Sequence, residues 1–330
     1  MRLIEAVPNF SVGQDPLAVK AIAQAFFRAP GVTLLHVDVG QSANRTVYTL
    51  VGPPEAVVAA LLEAASVAFR YLDMTRHQGN HPRIGALDVC PLVPLAGIDL
   101  EETVQFACQL AQELALRHSL PVYLYAAAAK DPKRRELADL RRGGYEGLAQ
   151  RLADPLWQPD FGPASFQPKL GASIVGARPI LIAYNLNLPG AQLPAAKALA
   201  RRLRSLRQTD KRLVSVRFLG WYLDSHQMAQ ISTNLLDYPL MDPGQLYELV
   251  GIEAQRMGLK LGGSELVGLC PLAALLPPGA PVTNLPAVIE RLGLDSLGPF
   301  DLELKIIEYN LRKKGRIHEV QSLGWDLPDQ

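Results

Sequence analysis

The chain has 330 residues, 48% hydrophobic and 20% charged, enough to bury one large core or two ordinary ones. Its 33 Lys and Arg nearly balance 32 Asp and Glu at a net charge of +1, so no global field draws it to nucleic acid or a lipid surface. No apolar run approaches the roughly 20 residues of a spanning helix, and the opening "MRLIEAVPNFSVG" has no signal-peptide apolar region, so a cytoplasmic protein is expected.

Leu3 to Phe10 reads as a strand, and Asp15-Pro16 then opens a helix with Val19, Ile22 and Phe26 on its buried stripe, ended by Pro30-Gly31. "VTLLHVDV" (Val32 to Val39) and "RTVYTLVG" (Arg45 to Gly52) are expected strands joined by the polar loop "GQSAN". Pro53-Pro54-Glu55 starts a long helix running to about Leu72, and the strand "ALDVCPLVPL" closes the unit. That order, β-α-β-β-α-β, predicts an α/β fold, an α+β sandwich of ferredoxin-like type. A helix from Leu100 to about His118, with Val104, Ala107, Ala111 and Leu114 on one side, leads into the apolar strand "PVYLYAAAA". A basic segment, Lys130 to Arg142, and a short helix near Tyr145 to Leu152 follow. Trp157 to Ser173 has neither period and is expected as a loop.

From Pro179 a strand pattern restarts as "PILIAYNLNLP", and the second half can be laid against the first. Asn185 answers Asn9, "LVSVRFLGWYLD" answers "VTLLHVDVG", "MAQISTNLL" answers "RTVYTLVG", and "LVGLCPLAAL" answers "LDVCPLVPL". Two related lobes, residues 1–178 and 179–330, are expected, with a ligand cleft or tunnel between or beside them.

The three cysteines, Cys90, Cys108 and Cys270, are odd in number and set in apolar surroundings, which points to buried small hydrophobes rather than a disulfide framework or zinc site. Gly-rich phosphate loops, HExxH, GxSxG and paired CxxC motifs are absent. His77 and His81 lie four apart, the spacing of metal ligands on a helix, but Gly79, Asn80 and Pro82 break any helix there, so no metal is expected. His81 precedes a proline and is pushed toward extended backbone at a strand mouth, where an imidazole with an ordinary pKa near 6.5 can serve as a general base. A solvent-exposed loop histidine is the competing reading, and it is the one adopted for His36, His118, His226 and His318. Asp38 ends one strand and Asn44 and Arg45 begin the next, presenting a carboxylate, an amide and a guanidinium at one sheet edge. A surface turn of the same composition is the alternative.

The stretches "VPNFS", "HVDVG", "NRTVYTLVGPPE", "MTRHQGNHPRIGALDVCPLVP", "DFGPASFQPKLGASIVGARPILIAYNLNL", "QISTNLLD" and "RLGLDSLGPFDLELKIIEY" resemble the formiminotransferase domain of glutamate formimidoyltransferases, from Arg2 to about Tyr309. In animals this domain is the front half of formimidoyltransferase-cyclodeaminase. About twenty residues follow "IIEY" (~20), so no cyclodeaminase domain is expected and a free-standing transferase is implied.

The resemblance implies transfer of a formimino group from N-formimino-L-glutamate to N5 of tetrahydrofolate, a step of histidine degradation and one-carbon metabolism. It puts the catalytic histidine at His81 and the folate-binding segment at Gly162, Pro163, Ala164, Ser165, Phe166, Gln167, Pro168, Lys169, Leu170 and Gly171. Tetrahydrofolate is implied as co-substrate, with a homodimer and no metal. Asp38 is then expected to orient the amidinium or the imidazolium. Arg45 and Arg83, with Asn44, are expected to hold substrate carboxylates. Phe161 and Phe166 offer flat surfaces for the folate rings, and the basic runs offer an approach for a polyglutamate tail. N-formylglutamate as donor and a non-catalytic folate-binding protein are the alternatives.

Overall fold

A computed structural model describes residues 1–223, 226–277, 279–325 and 327, which form a mixed α/β protein of two compact units, Met1–Arg178 and Pro179–Gln330. In the first unit β1 (Leu3–Ala6) and β2 (Asn9–Phe10) replace the expected unbroken strand. The break falls at Val7-Pro8, because Pro8 has no N–H to give a ladder. Then come α1 (Pro16–Arg28), β3 (Thr33–Gly40), β4 (Arg45–Gly52), α2 (Pro54–Tyr71), β5 (Leu87–Ala96) and α3 (Leu100–His118). β6 (Val122–Ala126), short α4 (Leu137–Leu140), α5 (Leu148–Ala153) and β7 (Ser173–Ala177) complete it. Asp15 caps α1 by accepting from the N–H groups of Leu17 and Ala18 at 2.9 and 3.2 Å.

β4 pairs with β3 on one side and with β1 and β2 on the other; β1 and β2 also pair with β5, all antiparallel. β7 and β6 extend the sheet in parallel beyond β5. β7 falls outside the expected elements: "SIVGA" is buried throughout and lacks the alternation that marks a half-buried strand. The expected strand "PVYLYAAAA" stops at Ala126, which sits at φ 53° and starts a turn. α1, α2 and α3 cover one sheet face, where the rings of Phe10, Phe26 and Tyr48 pack with centroids 5.5 to 6.5 Å apart. On the other face a smaller core of Ile84, Val89, Tyr123, Tyr125, Leu140, Leu148, Leu152 and Ile174 ties residues 137–153 down.

The second unit runs β8 (Ile182–Leu188), α6 (Leu193–Ser205), β9 (Val216–Leu223), β10 (Met228–Leu235), α7 (Pro243–Arg256) and β11 (Ser264–Val267). Four short helices follow, α8 (Leu285–Leu292), α9 (Leu302–Lys305), α10 (Ile307–Lys313) and α11 (Ile317–Ser322). Its antiparallel sheet has the order β11-β8-β10-β9. Asp224, the end of the expected strand "LVSVRFLGWYLD", lies outside the described residues. The expected counterpart of "LDVCPLVPL" is corrected: the strand ends at Val267, Gly268 at φ 74° turns the chain, and Cys270 makes only an isolated bridge to Ile306 before a 3-10 turn. Among the described residues no helix is long and apolar enough to cross a membrane.

Candidate active site

Alternation along β4 sends Tyr48 and Leu50 into the core under the helices and Arg45 and Val47 to the opposite face. Across the hairpin Asp38 lies opposite Val47, so the exposed carboxylate shares a face with Arg45. Asn44, at the hairpin's end, sits at φ 45°, a conformation asparagine tolerates better than most residues. Its side-chain oxygen accepts from the N–H groups of Gly13 and Gln14 at 2.8 and 3.1 Å, and its amide donates to the Gln78 carbonyl at 2.8 Å. Asn44, expected to touch substrate, is therefore committed to tying three backbone segments together.

The segment between α2 and β5 carries the two histidines. Arg83 Nε donates to His77 Nδ1 at 3.1 Å, which forces the proton of a neutral ring onto Nε2, 2.9 Å from the Asn44 carbonyl. Both nitrogens of His77 are thus spent, and burial holds its pKa below the ordinary value. Arg83, also expected at a substrate carboxylate, already grips Glu146 through Nη1 and Nη2 at 3.1 and 2.8 Å. It also donates to the His77 carbonyl at 3.3 Å and lies 5.9 Å from the centre of the Tyr145 ring, so its guanidinium braces the loop.

His81 is half-buried, with Nε2 lying 2.8 Å from Arg45 Nη1. An arginine can only donate, so Nε2 accepts and the proton of the neutral ring resides on Nδ1, which is buried. Burial first, then the charges of Arg45 and Arg141, press the His81 pKa down to about 4, against a smaller upward pull from the Pro82 backbone. Arg45 is itself held below its usual pKa by burial and by Arg141, opposed by Asp88 and Asp38.

Arg141 and Asp88 complete the cluster, and neither was singled out from the sequence. Asp88 is fully buried, accepts from the Ile84 N–H at 2.9 Å and forms an ion pair with Arg141 Nη2. Burial raises the Asp88 pKa while Arg141 pulls it down. The available signal was a carboxylate inside the apolar run "ALDVCPLV", which demands a buried cation. Which cation was hidden, since Arg141 sits beside Arg142 in one basic run and Arg142 is exposed.

The segment Gly162–Gly171 is fastened next to this cluster. Its residues 162–165, 168 and 169 are exposed, Phe166 and Gln167 are half-buried, and Leu170 and Gly171 are buried. Gln167 Nε2 donates to the His118 carbonyl at 3.0 Å, Tyr145 donates to the Pro168 carbonyl at 2.6 Å, and the Ala86 N–H donates to the Leu170 carbonyl at 2.8 Å. Gly171 bridges to Gly85, where a Cβ would stand 2.1 Å from the Ala172 carbonyl oxygen, so only glycine permits that crossing. Phe166 packs on Tyr145 with centroids 5.5 Å apart, and Lys130 lies 5.1 Å from the centre of the Phe161 ring. Part of each ring surface expected for folate is therefore taken.

The structure thus gathers His81, Arg45 and Arg141 over Asp88, with Asp38 on the same sheet face as Arg45. Asn44, His77 and Arg83 form the scaffold beneath. A hollow of about 670 Å³ between α1 and α2, lined by Ala21, Arg28, Ala56, Ala60, Glu63 and Arg70, contains none of these groups.

Residues 3–178 match the formiminotransferase domain, N-terminal subdomain, and residues 183–312 match the formiminotransferase domain. The chain is 44% identical over 328 residues to the formimidoyltransferase-cyclodeaminase of Rattus norvegicus, a match spanning 95% of this chain and 61% of that protein. It is 40% identical over 278 residues to the glutamate formimidoyltransferase of Thermoplasma acidophilum, covering 84% of this chain and 90% of that one. The glutamate formimidoyltransferase of Streptococcus pyogenes serotype M1 is 34% identical over 275 residues, with 83% and 91% covered. On this sequence evidence, and with both subdomain matches in chain order, the chain belongs to the formiminotransferase domain family.

Proposed function

We propose that this chain transfers the formimino group of N-formimino-L-glutamate to N5 of tetrahydrofolate, giving 5-formiminotetrahydrofolate and glutamate. The observation that carries the reading is a half-buried imidazole, neutral at physiological pH, flanked by two guanidiniums. Relatives named glutamate formimidoyltransferase support the choice of reaction.

The chemistry fits these groups step by step. Attack of N5 on the amidine carbon forms the new C–N bond and leaves N5 positively charged. His81 removes that proton, and the tetrahedral intermediate can then collapse toward product. Collapse breaks the bond to the glutamate nitrogen, a poor leaving group until protonated, and the imidazolium returns the proton there. The donor is reactive as a cationic amidinium, so its electrostatic partner is a carboxylate rather than an oxyanion hole. Asp38 is assigned that part. Both substrates bring glutamate carboxylates, for which Arg45, backed by the charge of Arg141, is the cation beside the base. Gly162–Gly171 is assigned to the folate, chiefly through the exposed backbone of 162–165.

The nearest rival keeps the site and takes N-formyl-L-glutamate. Purified protein, tetrahydrofolate and each donor in turn, followed by the absorbance of the folate product, separates the two. Transfer from the formimino donor is expected; transfer only from the formyl donor overturns the reading.

A further inference from the structure

In this structure the atom that must accept the proton is already occupied. His81 has one lone pair, on Nε2, and Arg45 Nη1 donates to it at 2.8 Å. The other nitrogen carries the ring proton and is buried, so it offers no second basic face. A base in this state is capped. The cap is held by a weak acceptor, since a neutral imidazole binds a guanidinium less strongly than a carboxylate does, through one hydrogen bond instead of a charge-assisted fork.

We propose that Arg45 is a substrate-operated cap on His81: a substrate carboxylate takes the guanidinium, and the imidazole Nε2 is thereby released for proton transfer. This rests on the reading of His81 as the general base. The charged groups facing the pair come from four elements. Arg141, following α4, repels Arg45; Asp88 on β5 and Asp38 on β3 attract it; and His77 and Arg83, in the segment between α2 and β5, are locked to each other and to Glu146. Asp88 is engaged by Arg141 and by the Ile84 N–H, and Asp38 stands exposed at the edge of the hairpin. An arriving carboxylate is therefore the mobile partner that Arg45 is set to accept. Pairing also offsets the positive charge that opposes protonation of His81, so the base gains strength as it is uncovered. Arg45 acts in this account as a positioning and gating residue as well as a carboxylate ligand. The base stays quiet until the acid group of the substrate is in place, and part of the binding energy of a remote carboxylate is converted into reactivity.

The test is a titration of the His81 ring proton resonance, assigned by its loss in His81→Gln, in the full chain with and without glutarate, a dicarboxylate that carries no transferable group. In the wild type, saturating glutarate should raise the midpoint by about one unit or more, roughly a tenfold gain in proton affinity. In Arg45→Gln the midpoint should already be higher without glutarate, and glutarate should move it little further. A wild-type midpoint that glutarate leaves unchanged overturns the proposal, whether glutarate binds elsewhere or not at all. That arm decides the matter even if Arg45→Gln fails to fold. The base assignment fails separately, if His81→Gln retains transfer activity, whatever the titration gives.

Discussion

Arg141 and Asp88, 53 positions apart in the chain, meet as an ion pair whose carboxylate is entirely inside the protein. Replacing Asp88 by Asn keeps the shape and removes the charge that compensates Arg141, leaving a guanidinium largely buried beside Arg45. Breaking such a pair from one side costs about 3–5 kcal/mol. Urea unfolding of Asp88→Asn should show that loss in the transition of the first unit.

The acid side of the stability profile carries the signature of His81. Its folded pKa of about 4 lies below the ordinary 6.5 of the unfolded chain. Between those values the unfolded chain binds the extra proton, so stability is full above about 6.5 and falls as pH drops toward 4. After discounting for the exposure of a half-buried ring, about 1–2 kcal/mol is at stake. Thermal melts of His81→Gln and wild type should therefore run parallel above pH 6.5 and diverge below it, with wild type losing more on acidification; parallel curves down to pH 4 would contradict the assignment of this shift.

Glu308 should act in the opposite sense. It is buried, its oxygen accepts from the Leu272 N–H at 2.8 Å, and burial raises its pKa from 4.5 to about 7. From pH 4.5 to 7 the folded chain binds the extra proton, so stability falls as pH rises through that window. Glu308→Gln keeps an acceptor oxygen and has no charge to bury. At pH 8 it should unfold at a higher denaturant concentration than wild type, by a margin of about 3 kcal/mol, and at pH 4 the two should coincide.

Gly85 tests the crossing that holds the His81 segment to residues 162–171. A methyl group there meets the Ala172 and Leu170 carbonyl oxygens at 2.1 and 2.6 Å, so the two strands of chain must part. Gly85→Ala should cost about 3 kcal/mol or more in stability and weaken folate binding, measured by isothermal titration at a temperature where the variant remains folded. Unchanged affinity would detach the segment from the site.

The sequence made the local elements legible where one period or one cap decides them. The apolar stripe of Leu100 to His118 fixed α3 at both ends, and Asp15-Pro16 marked the start of α1. His81 and Arg45 could be singled out because a proline and a strand start constrain their backbones. What stayed hidden depends on partners distant in sequence. β7 exists because β5 and β6 flank it, and its five residues carry no period of their own. Arg141 is separated from Arg142 only by which of them reaches Asp88, and Arg83 pairs with Glu146, 63 positions away. Charge identity was visible in each case; pairing was not.

The most direct test of the account is the transfer rate with N-formimino-L-glutamate and tetrahydrofolate, compared between wild type and His81→Gln, with folate affinity measured on the same samples. Loss of the proton-transfer group should lower kcat by about 10²–10⁴-fold while folate still binds. Transfer by His81→Gln at the wild-type rate would contradict the central role given to this imidazole.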